Sequence, residues 1–393
     1  MPHIRIDRFK EPLLPFEQAG VRFEWYAKNL EHENEGLLGV EAEGVPFLLQ
    51  VKPKENGVLI KGEKITRPSP NTLLKRALQV YVDTFGPKVL QSNIANIERA
   101  KLVRPPEALK DISEFDASCL PDKPLWIEIG FGSGRHLLHQ AKRNPDVHLI
   151  GLEIHRPSLE QVLRRIELDS IENLWVIDYD ARLFMELLPS DRVDRIFVHF
   201  PVPWDKKPHR RVISDSFLEE SLRVLRPGGT LELRTDSENY YRYAMEVFTK
   251  KERVKLTLFK NIEAAVRSKY EDRWLRMGKN IYEIHVESLS TSDPRQESYD
   301  FSFLTPESLS GLFERRPTKA WIERDFFVHL ERFYSINGSD GLVRLSFGSF
   351  DRPEHKFVLV RDGVASYYPH APVATRTNYM AHRLIREWIE CKR

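Results

Sequence analysis

The sequence predicts an α/β protein: a doubly wound middle domain with a parallel sheet, flanked by an N-terminal extension and a C-terminal α+β extension. Two observations carry that expectation. Between Leu125 and about Ser288, five short apolar segments (LWIEIG, HLIGLEI, NLWVID, DRIFVHF and GGTLELRT) alternate with stretches of helical periodicity. That alternation implies right-handed crossovers onto a parallel sheet covered on both faces. The first of these segments also runs directly into a glycine-rich turn, Gly130-Phe131-Gly132-Ser133-Gly134, that opens a helix.

The elements follow in order. Residues 20 to 66 read as strands, with VRFEWYA, VPFLLQVKP and GVLIKG, the last two joined through an Asn56-Gly57 hairpin signal. Ser69-Pro70 offers an N-cap and first-turn pair. Leu73, Leu74, Ala77, Leu78, Tyr81 and Val82 then keep an apolar stripe at helical spacing. The polar, proline-punctuated stretch from 111 to 124 reads as a linker. Beyond about Thr291, GLVRLSFGSF, KFVLVRDG and VASYY predict a small antiparallel sheet, and Met380, Leu384, Ile385, Trp388 and Ile389 a closing helix. The expected division is therefore 1–115, 116–290 and 291–393, and no internal repeat is visible.

The chain has 393 residues, 41% hydrophobic and 30% charged, so it can bury a core and lies outside the compositional range of disorder. Sixty Lys and Arg against fifty-eight Asp and Glu leave a formal charge of +2, so any polyanion must be met by a local patch. Cys119 and Cys391 form neither a disulfide framework nor a thiolate metal motif, and no metal site is expected. The N-terminus lacks a signal-peptide apolar region and no segment is long and apolar enough to span a bilayer. The expectation is a cytoplasmic protein with no membrane partner.

The chemistry concentrates at the predicted strand ends. Gly130 and Gly132 let the backbone approach a ligand closely. A dinucleotide is one candidate, but Arg135 occupies the third-glycine position of that fingerprint, and the Glu128 carboxylate beside the turn would repel a pyrophosphate. Glu128 suits a ligand carrying positive charge, such as the ammonium and sulfonium of S-adenosylmethionine. Glu153, about twenty residues on, is placed to accept from ribose hydroxyls, and Asp180 from an adenine amine. Each acid could instead be a helix N-cap. After the fourth strand comes Phe200-Pro201-Val202-Pro203-Trp204-Asp205-Lys206-Lys207-Pro208-His209-Arg210-Arg211, a stiff loop followed by a basic run, whose alternative is a solvated surface loop. From Lys250 to Lys279, ten Lys and Arg face four acids, with Tyr270 and Trp274 interleaved, which reads as a phosphate and stacking surface or as the polar side of ordinary elements.

Taken together, EIGFGSG, GLEI, YDA, FPVPWDKKPHRR, LRPGGTLELRTD and SKYE resemble the bacterial tRNA (guanine-N7-)-methyltransferase family, in its long epsilonproteobacterial form. The match runs in order over somewhat less than half of the chain. The resemblance implies a Rossmann-like fold, S-adenosyl-L-methionine as cofactor, tRNA as partner, and methyl transfer to N7 of a guanosine in the variable loop. By position it assigns Glu128, Gly130, Gly132, Glu153 and Asp180 to the cofactor. It assigns Lys206, Asp236, Ser268 and Glu271 to the RNA. The segment from His209 to Arg211 is about two residues shorter than in the family, so His209 with Arg210 or Arg211 are the loop's further RNA candidates. Asp236 and Glu271 are the candidate catalytic acids beside the base.

One departure stands out: the family's Phe-Pro-Asp-Pro-Trp has Val202 at its aspartate, and Asp205 is the candidate surrogate. The loss is tolerable chemically, because guanine N7 carries a free lone pair and needs alignment rather than deprotonation. The product is a cationic base, so nearby carboxylates can offset the developing charge. A non-catalytic RNA-binding protein, a methyltransferase for another nucleic-acid target and an NAD-dependent enzyme are the alternatives.

Overall fold

A computed structural model describes residues 2–32, 34–68, 71–94, 107–112, 115–263, 266, 271, 276–294, 299–350 and 353–391. The chain forms two compact units, one from Pro106–Ser298 and one from both ends, Met1–Pro105 with Tyr299–Arg393.

In the first stretch the strands are β1 (His3–Ile6), β2 (Phe16–Gln18), β3 (Val21–Asn29), β4 (Gly36–Ala42), β5 (Val45–Lys54), β6 (Gly57–Gly62) and, after helix α1 (Asn71–Phe85), β7 (Val89–Ser92). The predicted stripe of α1 is real: Leu73, Leu74, Ala77, Leu78 and Tyr81 are buried against Phe23, Leu38, Leu49 and Ile60. The proposed cap pair Ser69-Pro70 lies outside the described residues. Strand β4, GLLGVEA, escapes the sequence reading because its two glycines break the apolar run. They are required there: a Cβ at Gly36 or Gly39 would lie 2.3 Å from Tyr26 Oη or 2.5 Å from the Trp25 ring.

The middle unit holds β8 (Leu109–Lys110), β9 (Leu125–Ile129), α2 (Arg135–Arg143), β10 (His148–Leu152), α3 (Arg156–Leu168), β11 (Leu174–Ile177), α4 (Ala181–Phe184), β12 (Val193–His199), α5 (Asp215–Val224), β13 (Leu225–Thr235), α6 (Glu238–Phe248), β14 (Val254–Lys260) and β15 (Tyr282–Ser288). Its eight strands lie in the order β14-β15-β13-β12-β9-β10-β11-β8. All five predicted strands are present and pair in parallel. The wholly parallel sheet needs correction: β15 pairs antiparallel with both β13 and β14. A strand inserted in this way between the fifth and sixth departs from the 3-2-1-4-5-6 order of dinucleotide-binding sheets. The expected linker also begins late, since β8 already pairs with β11.

The two faces of this sheet differ. On one, Ile127, Ile196, Val198, Leu231, Leu233, Ile284 and Val286 pack with residues of α5 and α6 into one core. On the other, α2 and α3 cover β10 and β11 through Leu137, Leu149, Val162, Ile166 and Val176. Beyond β9 that second face changes character. Register sets Glu128 opposite Phe197, Phe197 opposite Glu232, and Glu232 opposite His285, with His199, Arg234 and Glu283 in the next row.

After the middle unit come α7 (Leu309–Glu314), β16 (Trp321–Ile322), β17 (Phe327–Ser335), β18 (Gly341–Gly348), β19 (Pro353–Arg361), β20 (Val364–Tyr368) and α8 (Arg376–Ile389). These strands do not make a small sheet of their own. β17 pairs antiparallel with β3, through Tyr334 with Asn29 and Ser335 with Lys28, so both ends of the chain share one 12-stranded sheet. The two flanks therefore belong to one unit rather than to two extensions. They are also alike: β2 to β6 and then α1, and β16 to β20 and then α8, are each a five-stranded antiparallel meander followed by a helix, joined at their second strands. Each of those second strands carries a bulge, between Phe23 and Trp25 and between Leu330 and Arg332. A structural repeat is thus present where the sequence shows none, because β-packing constrains alternation and size far more than identity.

Candidate active site

The site is built at the carboxyl ends of β9, β12 and β13. Gly130, Gly132 and Gly134 all have left-handed φ, +66°, +52° and +68°, which L side chains resist. Their tasks differ. A Cβ at Gly134 would lie 2.3 Å from Val162 Cγ2, so Gly134 gives α2 its close contact with α3, the packing role that Arg135 could not fill. A Cβ at Gly130 would meet no atom within 4 Å, so the space beside that turn stays open.

The three predicted cofactor acids lie in different environments. Glu128 is buried, and its Oε2 accepts a hydrogen bond from His136 Nδ1 at 2.7 Å. Burial disfavours the charged imidazole of His136, but the charge and hydrogen bond of Glu128, with Glu232 nearby, outweigh it and raise its pKa. Glu153 is a backbone clamp: the amides of Gly132, Ile154 and His155 each donate to its carboxylate at 2.9 Å, tying the glycine turn to the end of β10. Asp180 caps α4, accepting from the Arg182 amide at 2.9 Å, while the Arg182 guanidinium closes on both of its oxygens. The N-cap alternative describes what Asp180 does here.

A cavity of about 290 Å³ runs from the glycine turn onto the polar face of the sheet, past Glu128, Gly130, His136, Phe200, Arg234 and Glu271. Gly132 lines it as well, whereas Glu153, Asp180, Lys206, Arg211 and Asp236 are absent from its lining. Its floor is a chain of ion pairs. His199 Nε2 lies 2.8 Å from Glu232 Oε1, and His285 Nε2 2.8 Å from Glu283 Oε1. Arg234 joins Glu283 and lies 2.6 Å from Glu271 Oε1, all three being buried. Burial alone would raise the Glu232 pKa. The His199 hydrogen bond and the charges of His199, His285 and His136 prevail and hold it down at about 2. Donor atoms of Glu232, Glu283 and His285 converge within 4.8 Å, and their charges are met by Arg234 and the histidines in an ion-pair network.

Sequence reasoning missed this network, although its signal is readable. Leu231-Glu232-Leu233-Arg234 and Glu283-Ile284-His285-Val286 alternate strictly, which a strand apolar on both faces would not do.

The loop after β12 opens with Phe200 and bends again at Trp204, both in left-handed conformations, φ +50° and +45°. Two bulky residues held there are stored strain in the loop, of which Phe200 lines the cavity. Arg211, expected to touch RNA, is instead the loop's anchor. It is 7% exposed, donates from Nε to the Pro203 carbonyl at 2.7 Å, and sits over the Tyr243 ring at 4.5 Å. Asp205 pairs with Arg211 at 3.4 Å and does not line the cavity, so it supplies no surrogate carboxylate there. Val202 is 60% exposed. Lys206 and Lys207 are exposed, and Arg210 lies over Trp204. The backbone of His209 belongs to the short turn Pro208–Arg210, and its side chain lies outside the described residues.

Of the two predicted catalytic acids, Glu271 faces the cavity, while Asp236 pairs with Lys279 at 2.6 Å just ahead of α6. Ser268, Tyr270 and Trp274 lie outside the described residues. The basic stretch is less free than its count implies: Lys250, Lys251, Lys255 and Lys279 pair with Asp215, Glu219, Glu287 and Asp236.

Comparison with known proteins agrees with this geometry. A family model described as "Putative methyltransferase" matches residues 122–284, the stretch that holds the glycine turn, the proline-rich loop and β13. A tRNA (guanine-N(7)-)-methyltransferase of Wolinella succinogenes is 44% identical over 393 residues, 99% of this chain and all of that protein. Proteins of the same name from Campylobacter fetus and Helicobacter pylori are each 37% identical over all of this chain and 99% of their own length. The similarity therefore extends through both flanks as well as the middle unit, and the chain belongs to the tRNA (guanine-N(7)-)-methyltransferase family.

Proposed function

We propose that this protein transfers the methyl group of S-adenosyl-L-methionine to N7 of a guanosine in the variable loop of tRNA. The observation that carries this reading is the single cavity shared by the glycine turn with Glu128 and by the Arg234–Glu271 pair. It offers a place for a cationic cofactor beside a place for a base.

The turn fits the cofactor. Gly130 leaves open space where any side chain would stand, and Glu128 is a buried carboxylate able to receive an ammonium group. When bound, S-adenosylmethionine supplies a methyl group made electrophilic by its sulfonium. Glu153 holds the turn in shape through three amides. A ribose contact would draw on the acceptor capacity its carboxylate still has, and Asp180, already a cap, would serve the adenine only through the same residual capacity. Glu271 faces the base, where its carboxylate can accept from the N1 and N2 protons of guanine, and Arg234 keeps that carboxylate aimed. N7 has no proton to lose, so no group here acts as a general base. Orientation supplies the rate, and the acids of the cavity offset the positive charge that develops on the base. Asp236 acts at a distance, by fixing Lys279. Lys206, Lys207 and Arg210 on the loop meet phosphates, while Arg211 holds that loop in place. Among the described residues no helix is long and apolar enough to cross a membrane; a tRNA substrate supports the reading of a cytoplasmic enzyme.

The test is transfer of labelled methyl from S-adenosylmethionine to unmodified tRNA transcripts with and without the variable-loop guanosine. Transfer that depends on that guanosine is expected. Label incorporated equally without it refutes the substrate, and no incorporation at all favours an RNA-binding protein on a methyltransferase fold.

A further inference from the structure

Glu128 already has a hydrogen-bonded partner inside the protein, a histidine whose charged form it favours. His136, one position into α2, places Nδ1 at 2.7 Å from Glu128 Oε2, and both residues line the cavity. The ring is part-buried at the cavity wall, with neighbours from three strands or helices. Glu128 approaches from β9. Phe197 and His199 approach from β12, with ring centroids at 4.9 and 4.5 Å. Gln140 of the same helix reaches Nε2 at 3.0 Å, and Glu232 and Arg234 of β13 are the remaining charges that act on it. Glu128 and Glu232 favour the imidazolium, Arg234 and burial oppose it, and the balance lies on the charged side of an ordinary histidine.

We propose that His136 is a positioning residue for Glu128: it holds the carboxylate at the glycine turn as an ion pair in the free protein and yields its ring proton to solvent when a ligand ammonium reaches that carboxylate. The proposal rests on the reading of the turn as a cofactor site. One buried carboxylate cannot balance two cations, and the more labile proton is that of the ring. The contact survives the loss. In a neutral ring Nδ1–H still donates to Glu128 and Nε2 accepts from the Gln140 amide nitrogen that faces it here; in the charged ring Nε2–H needs the Gln140 amide turned over, so that its oxygen accepts instead. His136 thus fixes the orientation of Glu128 in both states and changes only its charge. The linkage has a definite sign. Below the ring's raised pKa, binding releases a proton and affinity climbs with pH; above it the ring is already neutral and affinity levels off.

Calorimetric titration of the full chain with S-adenosylmethionine at about pH 6.5, near the histidine midpoint, in phosphate and in imidazole buffer reads the protons released from the dependence on buffer ionisation enthalpy. A substantial fraction of one proton is expected from the wild type, and none from His136→Gln, which keeps a hydrogen-bonding side chain without the charge. Binding by the wild type with no proton released overturns the proposal, as does equal release by the variant. Should His136→Gln fail to fold, ¹³C-histidine NMR of the wild type decides: a His136 titration that moves to lower pH on saturation supports the coupling, and an unmoved one refutes it. Failure of the full chain to bind the cofactor at any pH removes the cofactor reading itself, and the proposal falls with it.

Discussion

The strands β12, β13 and β15 show two opposite solutions to burial on the two faces of one sheet. Toward α5 and α6 they present Val198, Leu231, Leu233, Ile284 and Val286, all essentially inaccessible and all apolar. On the face that carries the cavity the intervening residues are His199, Glu232, Arg234, Glu283 and His285, of which Arg234 and Glu283 are also buried. The apolar face gains by leaving water. The polar face must recover the cost of leaving it through pairing, and does so only because each carboxylate meets a guanidinium or imidazole. Strand alternation thus lets one element carry core and site at once, and the two faces should fail in different ways.

Arg234 should give the largest effect. Arg234→Met removes the cation between Glu271 and Glu283 and leaves two buried acids facing each other. The expected loss is about 3–5 kcal/mol of stability, the usual result of breaking a buried ion pair from one side. One residue away on the opposite face, Leu233→Ala should cost a similar or slightly smaller amount, about 2–5 kcal/mol, by opening a cavity in the core. Urea unfolding of both variants measures the costs, and binding separates them. Leu233→Ala should keep cofactor and tRNA affinity at temperatures where it is folded, while Arg234→Met should lose tRNA affinity because Glu271 is no longer held. Equal loss of affinity in both variants would show that the faces are one mechanical unit and would break the contrast.

Of these two faces, acid should act on the polar one. Glu232 has its pKa lowered from 4.5 to about 2 in the folded protein. A depressed carboxylate stabilises the fold above its unfolded pKa, and that contribution disappears as pH falls through the folded value. Stability should therefore decline by up to a few kcal/mol between about pH 4.5 and about pH 2 in the wild type. Glu232→Gln should flatten that part of the profile. Chemical denaturation at a series of pH values reads both slopes, and an unchanged slope in the variant would mean that other carboxylates carry the acid sensitivity.

How much of this was legible in the sequence follows from the same contrast. The five parallel strands and the glycine turn could be read because apolar runs and left-handed turns leave local marks. Glu128 could be read because a carboxylate next to such a turn is unusual for a phosphate site. The pairing of the ion-pair floor is not legible, because each of its members pairs with a residue tens of positions away, as Arg234 does with Glu271 and Glu283. The role of Arg211 is hidden for a related reason: a basic run does not disclose which of its members turns inward, and here the Pro203 carbonyl and the Tyr243 ring select one. The union of the two flanks rests on β3 pairing with β17, a contact across some three hundred residues that strand propensity cannot foresee.

The smallest effect is expected at Val202, where the resemblance pointed to a lost aspartate. Its side chain is exposed and outside the cavity lining, so Val202→Asp should change stability by no more than about 0.5 kcal/mol. The effect on methyl transfer is the informative part. The loop is clamped by Arg211 at Pro203 and strained at Phe200 and Trp204, so position 202 cannot swing inward without breaking those contacts. If Glu128, Glu271 and their partners already supply the negative charge the reaction needs, an added carboxylate at this rim should leave kcat within about threefold of the wild type, a change of well under 1.4 kcal/mol in barrier. A rise of tenfold or more would show that the loop closes over the base during the reaction and that this chain works without a group its rim can still accept.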